Sequence, residues 1–186
     1  YLVEKFYPQF LQTYNDLPRE IYRADMARNM YMHAFGGVYA DLDLVPLQPL
    51  TKHIPMLADA SHSPMKLAFV GHMSDDNFQH SIPNAFMAST TPGHPFWLKP
   101  LEFIQEHISS RAYNAHPEEL TGPVALRSCV KEWEKDSLQR YADGVFDRVE
   151  VLENGKVCES FFSPEPSDVF ALDISIQLVG FTVPAS

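Results

Sequence analysis

The chain has 186 residues, 45% hydrophobic and 20% charged, with a formal net charge of −10. That is enough apolar material for one globular domain with a sizeable core, with no run near the roughly 20 apolar residues of a membrane helix. The acidity excludes a nucleic-acid backbone as partner, which needs clustered Lys and Arg, and it means that an anionic ligand must find positive charge locally.

Residues 2 to 14 predict a helix with Leu2, Phe6, Phe10, Leu11 and Tyr14 on one stripe. Asn15-Asp16-Leu17-Pro18 turns the chain into a second helix, Pro18 to Phe35, with proline suiting its first turn and Gly36-Gly37 its C-terminal stop. At about 100° per residue, Ile21, Ala24, Asp25, Arg28, Tyr31, Met32 and Phe35 share one face, which sets Arg28 among apolar neighbours with Asp25 at the margin. A guanidinium placed there needs a carboxylate or a phosphate. Two readings stand open: Asp25 and Arg28 satisfy each other as an ordinary pair three residues apart, or together they face a polar ligand.

A short strand, Val38-Tyr39-Ala40, then runs into Asp41-Leu42-Asp43. In an extended segment Asp41 and Asp43 point the same way and Leu42 points into the opposite layer. Paired carboxylates repel and resist dehydration; water, a shared proton or a divalent cation relieves them, and hard oxygens suit Mg, Mn or Ca. On its own Asp-x-Asp is a weak signal whose plain reading is an acidic turn.

Val45 to Leu50 carries two prolines and cannot be an interior strand. Residues 51 to 65 predict an irregular loop or short helix, Lys66 to Gly71 a buried strand, and Gly71 to His80 a polar, turn-rich stretch in which Asp75-Asp76 reads as solvated. Asn84 to Ser89 is a further strand, closed by Thr91-Pro92-Gly93. A helix from His94 to Ser110 follows, with Phe96, Trp97, Leu101 and Ile104 inward, and another from Thr121 to about Gln139, with Val124, Ala125, Cys129 and Trp133 inward and Thr121 as N-cap. Val145 to Leu152 predicts a strand, and Asn154-Gly155 a hairpin turn returning through Lys156-Val157-Cys158. The tail from Pro164 carries no clear pattern. Cys129 and Cys158 allow one disulfide or two buried thiols. No Asn-x-Ser/Thr sequon, signal peptide, zinc-type histidine spacing, Gly-x-Ser-x-Gly elbow or glycine-rich phosphate loop is visible.

Taken together, Asp25, Arg28, Gly36-Gly37, Tyr39, Asp41 and Asp43 resemble the DXD sugar-binding region of glycosyltransferase family 32, which includes initiating mannosyltransferases and inositol-phosphoceramide mannosyltransferases. The combined string is far more specific than Asp-x-Asp alone, and the resemblance covers about residues 17 to 130. It implies an α/β fold of the GT-A type, a nucleotide-sugar donor (GDP-mannose or a UDP-hexose), and Mn²⁺ or Mg²⁺ held by Asp41 and Asp43. It implies retention of anomeric configuration, a glycan or glycolipid acceptor, and residence in the Golgi lumen through an anchor outside this chain. By the same resemblance Asp25, Arg28, Asp41 and Asp43 are the catalytic set, while Tyr39, Asn84, Thr121 and Gly122 lie beside donor or acceptor. Members carry nucleotide-binding strands upstream of the position of Tyr1 and often a late histidine ligand. No histidine follows His116, so the chain reads as one transferase domain lacking its first strands.

Two other functions compete. Asp41-Leu-Asp-Leu-Val45 fits a haloacid-dehalogenase-type phosphatase signature, with Asp41 as nucleophile and Asp43 as acid/base, though that motif follows a long apolar strand rather than a helix and two glycines. A catalytically inactive binding module on a transferase fold is the other.

Overall fold

The computed structural model describes residues 1–42, 44–46, 49–57, 65–72, 79, 81–111, 115–144, 147–152 and 162–163. Its strands are β1 (Gly37–Ala40), β2 (Val45–Pro46), β3 (Leu67–Gly71), β4 (Phe86–Ser89), β5 (Arg148–Leu152) and β6 (Phe162–Ser163). Four of them form one mixed sheet in the order β1-β4-β3-β5, antiparallel except for the β3–β5 pair. β2 and β6 pair separately, which keeps the proline-bearing stretch after Asp43 off the main sheet as predicted. Helices pack around this sheet, the α/β class expected of a GT-A-like core.

Alternation along the strands divides the core. Leu67, Phe69, Phe86 and Ala88 face Ile54 on one side, while Ala68, Val70 and Met87 face Phe96, Trp97, Cys129 and Trp133 on the other. A third cluster joins Val3, Tyr7, Phe10, Leu17, Met26 and Met30 to Leu101 and Ile104. Trp97 and Trp133 are thus core residues, as their helical spacing predicts.

The N-terminal helix is broken. α1 (Leu2–Phe6) gives way to a 3-10 turn, Pro8–Phe10, before α2 (Leu11–Asp16). Proline lacks the N–H and its ring strikes the preceding turn, so the stripe rotates: Val3, Phe10 and Thr13 are buried and Phe6 is exposed. α3 (Glu20–Phe35) starts after Pro18, with Arg19 extended at its N-cap. Its end is as predicted. Gly36, at φ 64°, donates to Met32 O at 3.0 Å, and a Cβ there would lie 2.9 Å from the Thr91 carbonyl carbon.

The face α3 buries is not the one its sequence predicts. Tyr22, Asp25, Met26, Asn29, Met30 and Met32 are buried, whereas Ile21, Tyr31 and Phe35 are exposed. Apolar residues run most of the way round this helix, so periodicity does not single out a face. Packing of Met26 and Met30 beside Leu101 and Ile104 does.

α4 (Leu50–His53) and a 3-10 turn, Pro55–Leu57, occupy the predicted loop-or-helix stretch. A 3-10 turn, Pro95–Leu98, leads into α5 (Lys99–Arg111). The helix predicted from Thr121 is preceded by α6 (Pro117–Leu120) and divides into α7 (Pro123–Lys135) and α8 (Ser137–Ala142) at Asp136. Gly122, not Thr121, is the N-cap of α7, without a side-chain cap bond. A Cβ on Gly122 would lie 2.8 Å from Glu118 Cα, so the α6–α7 corner closes only over a glycine. No described helix is long and apolar enough to cross a membrane. Asp75-Asp76, the Asn154-Gly155 turn, Cys158 and the tail from Pro164 lie outside the described residues.

Candidate functional site

The site forms where β1 ends beside the start of β4. Ala40 pairs with Phe86, and Asp41 N–H carries the ladder one step on by donating to Ala85 O at 2.9 Å. There the partner strand stops and the chain turns: Leu44 N–H donates to Asp41 O at 3.1 Å, and Leu42 is fully exposed. This corrects the extended reading of Asp41-Leu42, since Leu42 enters no second layer once a local turn replaces the ladder. Asp43 lies outside the described residues.

Arg28 reaches this turn from α3. Its Nη1 is 3.4 Å from Asp41 Oδ1 and 3.7 Å from Asp25 Oδ1, and it donates to Asn84 O at 3.2 Å. The guanidinium also sits 5.0 Å from the centre of the Tyr39 ring, a cation–π distance. Tyr39 and Asp41 share a strand face two residues apart, and the Tyr39 hydroxyl donates to Asp41 Oδ1 at 2.5 Å. Burial and that bond to a carboxylate push the Tyr39 phenol up to about 12, so it stays a donor across the physiological range.

Asp25 is 5% exposed, and each of its oxygens has a dedicated donor. Asn84 Nδ2 donates to Oδ1 at 2.9 Å, and Thr121 Oγ1 donates to Oδ2 at 3.1 Å. Burial raises its pKa; Arg28 and the two hydrogen bonds work against that rise, while the Asp41 charge adds to it.

Asp25, Arg28, Tyr39, Asp41, Asn84 and Thr121 are therefore brought together from four places in the chain, and Gly122 stands buried behind Thr121. The Asp25–Arg28 pair is not self-contained, because the guanidinium lies nearer Asp41 than Asp25. Sequence reasoning missed Asn29. Its Nδ2 donates to Asp25 O at 3.0 Å, and its buried Oδ1 has no partner among the described residues. The available signal was a polar residue one helical turn after Asp25. His33 is engaged with Tyr7 at 2.8 Å, and Cys129 is a buried free thiol whose pKa burial pushes up to about 12.

The donor set suits a hard divalent cation only in a shared mode. Among the described residues no three His, Cys, Asp or Glu side chains could close around a metal. Asp41 supplies one carboxylate at the rim, 29% exposed, with Oδ1 committed to Tyr39 and Arg28; among the described residues Oδ2 takes no bond. The Arg28 guanidinium and the Tyr39 phenol meet this carboxylate at Oδ1 and the Asn84 amide meets Asp25, a combination of groups that binds hydroxyl-rich and anionic ligands.

Comparison with known proteins gives this arrangement a class. Residues 1–62, which carry Asp25, Arg28, Tyr39, Asp41 and Asp43, match the family model of the glycosyltransferase sugar-binding region containing the DXD motif. Over 134 residues the chain is 30% identical to inositol phosphoceramide mannosyltransferase 3 of Schizosaccharomyces pombe, an alignment that takes in 69% of this chain and 32% of that protein. Over 56 residues it is 38% identical to initiation-specific alpha-1,6-mannosyltransferase of Candida albicans, covering 28% of this chain and 14% of the relative. Among solved structures, a PaToxG glycosyltransferase aligns with 77% of this chain and 51% of its own at 16% identity, with a TM-score of 0.44. The chain thus spans about a third of the length of the fission-yeast relative.

Proposed function

We propose that this chain is the sugar-binding part of a metal-dependent, retaining hexosyltransferase that moves a hexose, mannose before others, from a nucleotide sugar to a glycan or glycolipid acceptor. One observation carries the reading: Arg28 stands 3.4 Å from Asp41 inside the matched DXD region, a pairing that either residue's local context leaves unexplained. Mannose is favoured because both relatives described above are named mannosyltransferases. Golgi residence through an anchor outside the chain belongs to the same proposal.

In this reading Asp25 and Asn84 accept and donate to donor-sugar hydroxyls, and Arg28 fixes the sugar near the diphosphate so that the anomeric carbon faces the acceptor. Tyr39 holds Asp41 Oδ1 by a hydrogen bond and so leaves Oδ2 for a ligand. Asp41 and Asp43 would hold Mn²⁺ or Mg²⁺, which when bound neutralises the charge developing on the leaving diphosphate. With a net charge of −10 on the protein, a cation and Arg28 are the local means of accepting that anion. The backbone of Thr121–Gly122, rather than the Thr121 hydroxyl, is read as lining the acceptor side. Retention by front-face attack needs no nucleophile from the protein. The test is Asp43→Ala in the full-length protein. Loss of Mn²⁺-dependent hydrolysis of GDP-mannose and UDP-glucose is expected, and unchanged turnover rejects the metal role.

A further inference from the structure

Thr121 is separated from Asp25 by 96 residues, yet its hydroxyl lies 3.1 Å from Asp25 Oδ2. It has one proton and a second acceptor nearby, Pro117 O at 3.2 Å. Pro117 O already receives Thr121 N–H at 2.9 Å and Gly122 N–H at 3.0 Å, which uses its two lone pairs. The proton therefore goes to the carboxylate. Thr121 is 3% exposed and does not cap α7, so neither ligand contact nor capping accounts for the hydroxyl.

A carboxylate held at one oxygen still turns about its broad terminal torsion. Held at Oδ1 by Asn84 and at Oδ2 by Thr121, it cannot, and each oxygen keeps a lone pair for an incoming hydroxyl. We infer that Thr121 is a positioning residue: through Oδ2 it sets the orientation of the Asp25 carboxylate, so the α6–α7 corner governs how tightly the donor sugar is gripped by a motif carried on α3 and β1. Gly122, by letting that corner close against Glu118, belongs to the same device. This inference rests on the reading of Asp25 as a sugar-binding group given above.

The experiment uses the full-length protein with GDP-mannose, UDP-glucose and their nucleoside diphosphates. Thr121→Val removes the donor at nearly constant volume. The KM for the nucleotide sugar is expected to rise about tenfold, the effect of losing one hydrogen bond to a charged group, with the inhibition constant of the free nucleoside diphosphate unchanged. Thr121→Ser, which keeps the hydroxyl, recovers most of that loss. Equal weakening of both constants, or a fall in turnover with neither moved, overturns the positioning role. A thermal cycle tests the bond without activity. Thr121→Val alone should lower Tm by about 3–5 °C, and by under about 1 °C in an Asp25→Ala background; equal shifts in the two backgrounds overturn the inference. Should Asp25→Ala fail to fold, Asp25→Asn replaces it, with the shift expected to fall by about half as the charge-assisted share is lost. If the wild type turns over neither donor, the transferase reading falls while the thermal cycle still decides the role of Thr121.

Discussion

Asp25 and Asp41 lie at 3.7 Å and 3.4 Å from the same guanidinium, but they inhabit different parts of the molecule. Asp25 is buried in a corner knit from α3, the segment before β4 and the α6–α7 corner, with a donor on each oxygen. Asp41 sits in a surface turn, 29% exposed, tied on one oxygen by its own strand neighbour Tyr39. Burial of a charge is costly unless it is hydrogen-bonded, so the interior carboxylate is fixed in place by one donor on each oxygen. At the rim water meets the remaining lone pairs, and an oxygen can be left for a ligand. Arg28 bridges a carboxylate whose orientation the fold fixes and one that is free to turn at the rim.

The contrast can be broken in order of size. Asp25→Ala should destabilise the protein by about 3 kcal/mol, the cost of leaving a buried pair half made, read from urea unfolding; a loss below about 1 kcal/mol would mean that the corner is not held through this carboxylate. Gly122→Ala attacks the same corner through the backbone, because the added Cβ would lie 2.8 Å from Glu118 Cα; about 2 kcal/mol is expected from such overpacking.

His94 is a buried titratable group away from the site, and it checks that the interior as a whole behaves this way. Its Nδ1 accepts Phe96 N–H at 3.2 Å, so the proton sits on Nε2, which donates to Arg148 O at 2.9 Å. Burial pushes its pKa down to about 4 from 6.5. A depressed folded-state value means that the unfolded chain binds the proton first. The stability is present above pH 6.5 and is lost as pH falls towards 4. Between pH 7 and pH 5 the urea-derived stability should drop by roughly 2 kcal/mol from this residue, and His94→Gln should remove that part of the slope. The smallest effect is expected at the rim. Asp41→Ala should change stability by under about 1 kcal/mol while removing cation-dependent turnover, so equal stability losses at Asp25 and Asp41 would erase the distinction.

Much of this was legible from residues alone because it is local. The glycine stop after Phe35, the strand into Asp41, the buried strands at 67–71 and 86–89, and the exclusion of Val45-Pro46 from the main sheet follow from backbone freedom, side-chain alternation and the missing proline donor. Asp25, Arg28 and Asp41 stood out by their residue types and spacing, while Tyr39, Asn84 and Thr121 were singled out only through the family resemblance. Their relations were not legible. Thr121 was read as a helix cap and, with Asn84, as lying beside donor or acceptor, whereas both donate to Asp25, across 96 and 59 residues. The exposed placement of Ile21, Tyr31 and Phe35 was missed for the same reason. A helix with apolar residues nearly all round offers several faces of similar burial energy, and only the surfaces that happen to pack against it decide among them. Sequence, by itself, determined which chemistry the chain carries and where its backbone must turn, since these depend on neighbours a few residues apart. The tertiary structure alone decided which carboxylate is sealed in and which is left open, since that depends on partners that only folding brings within reach.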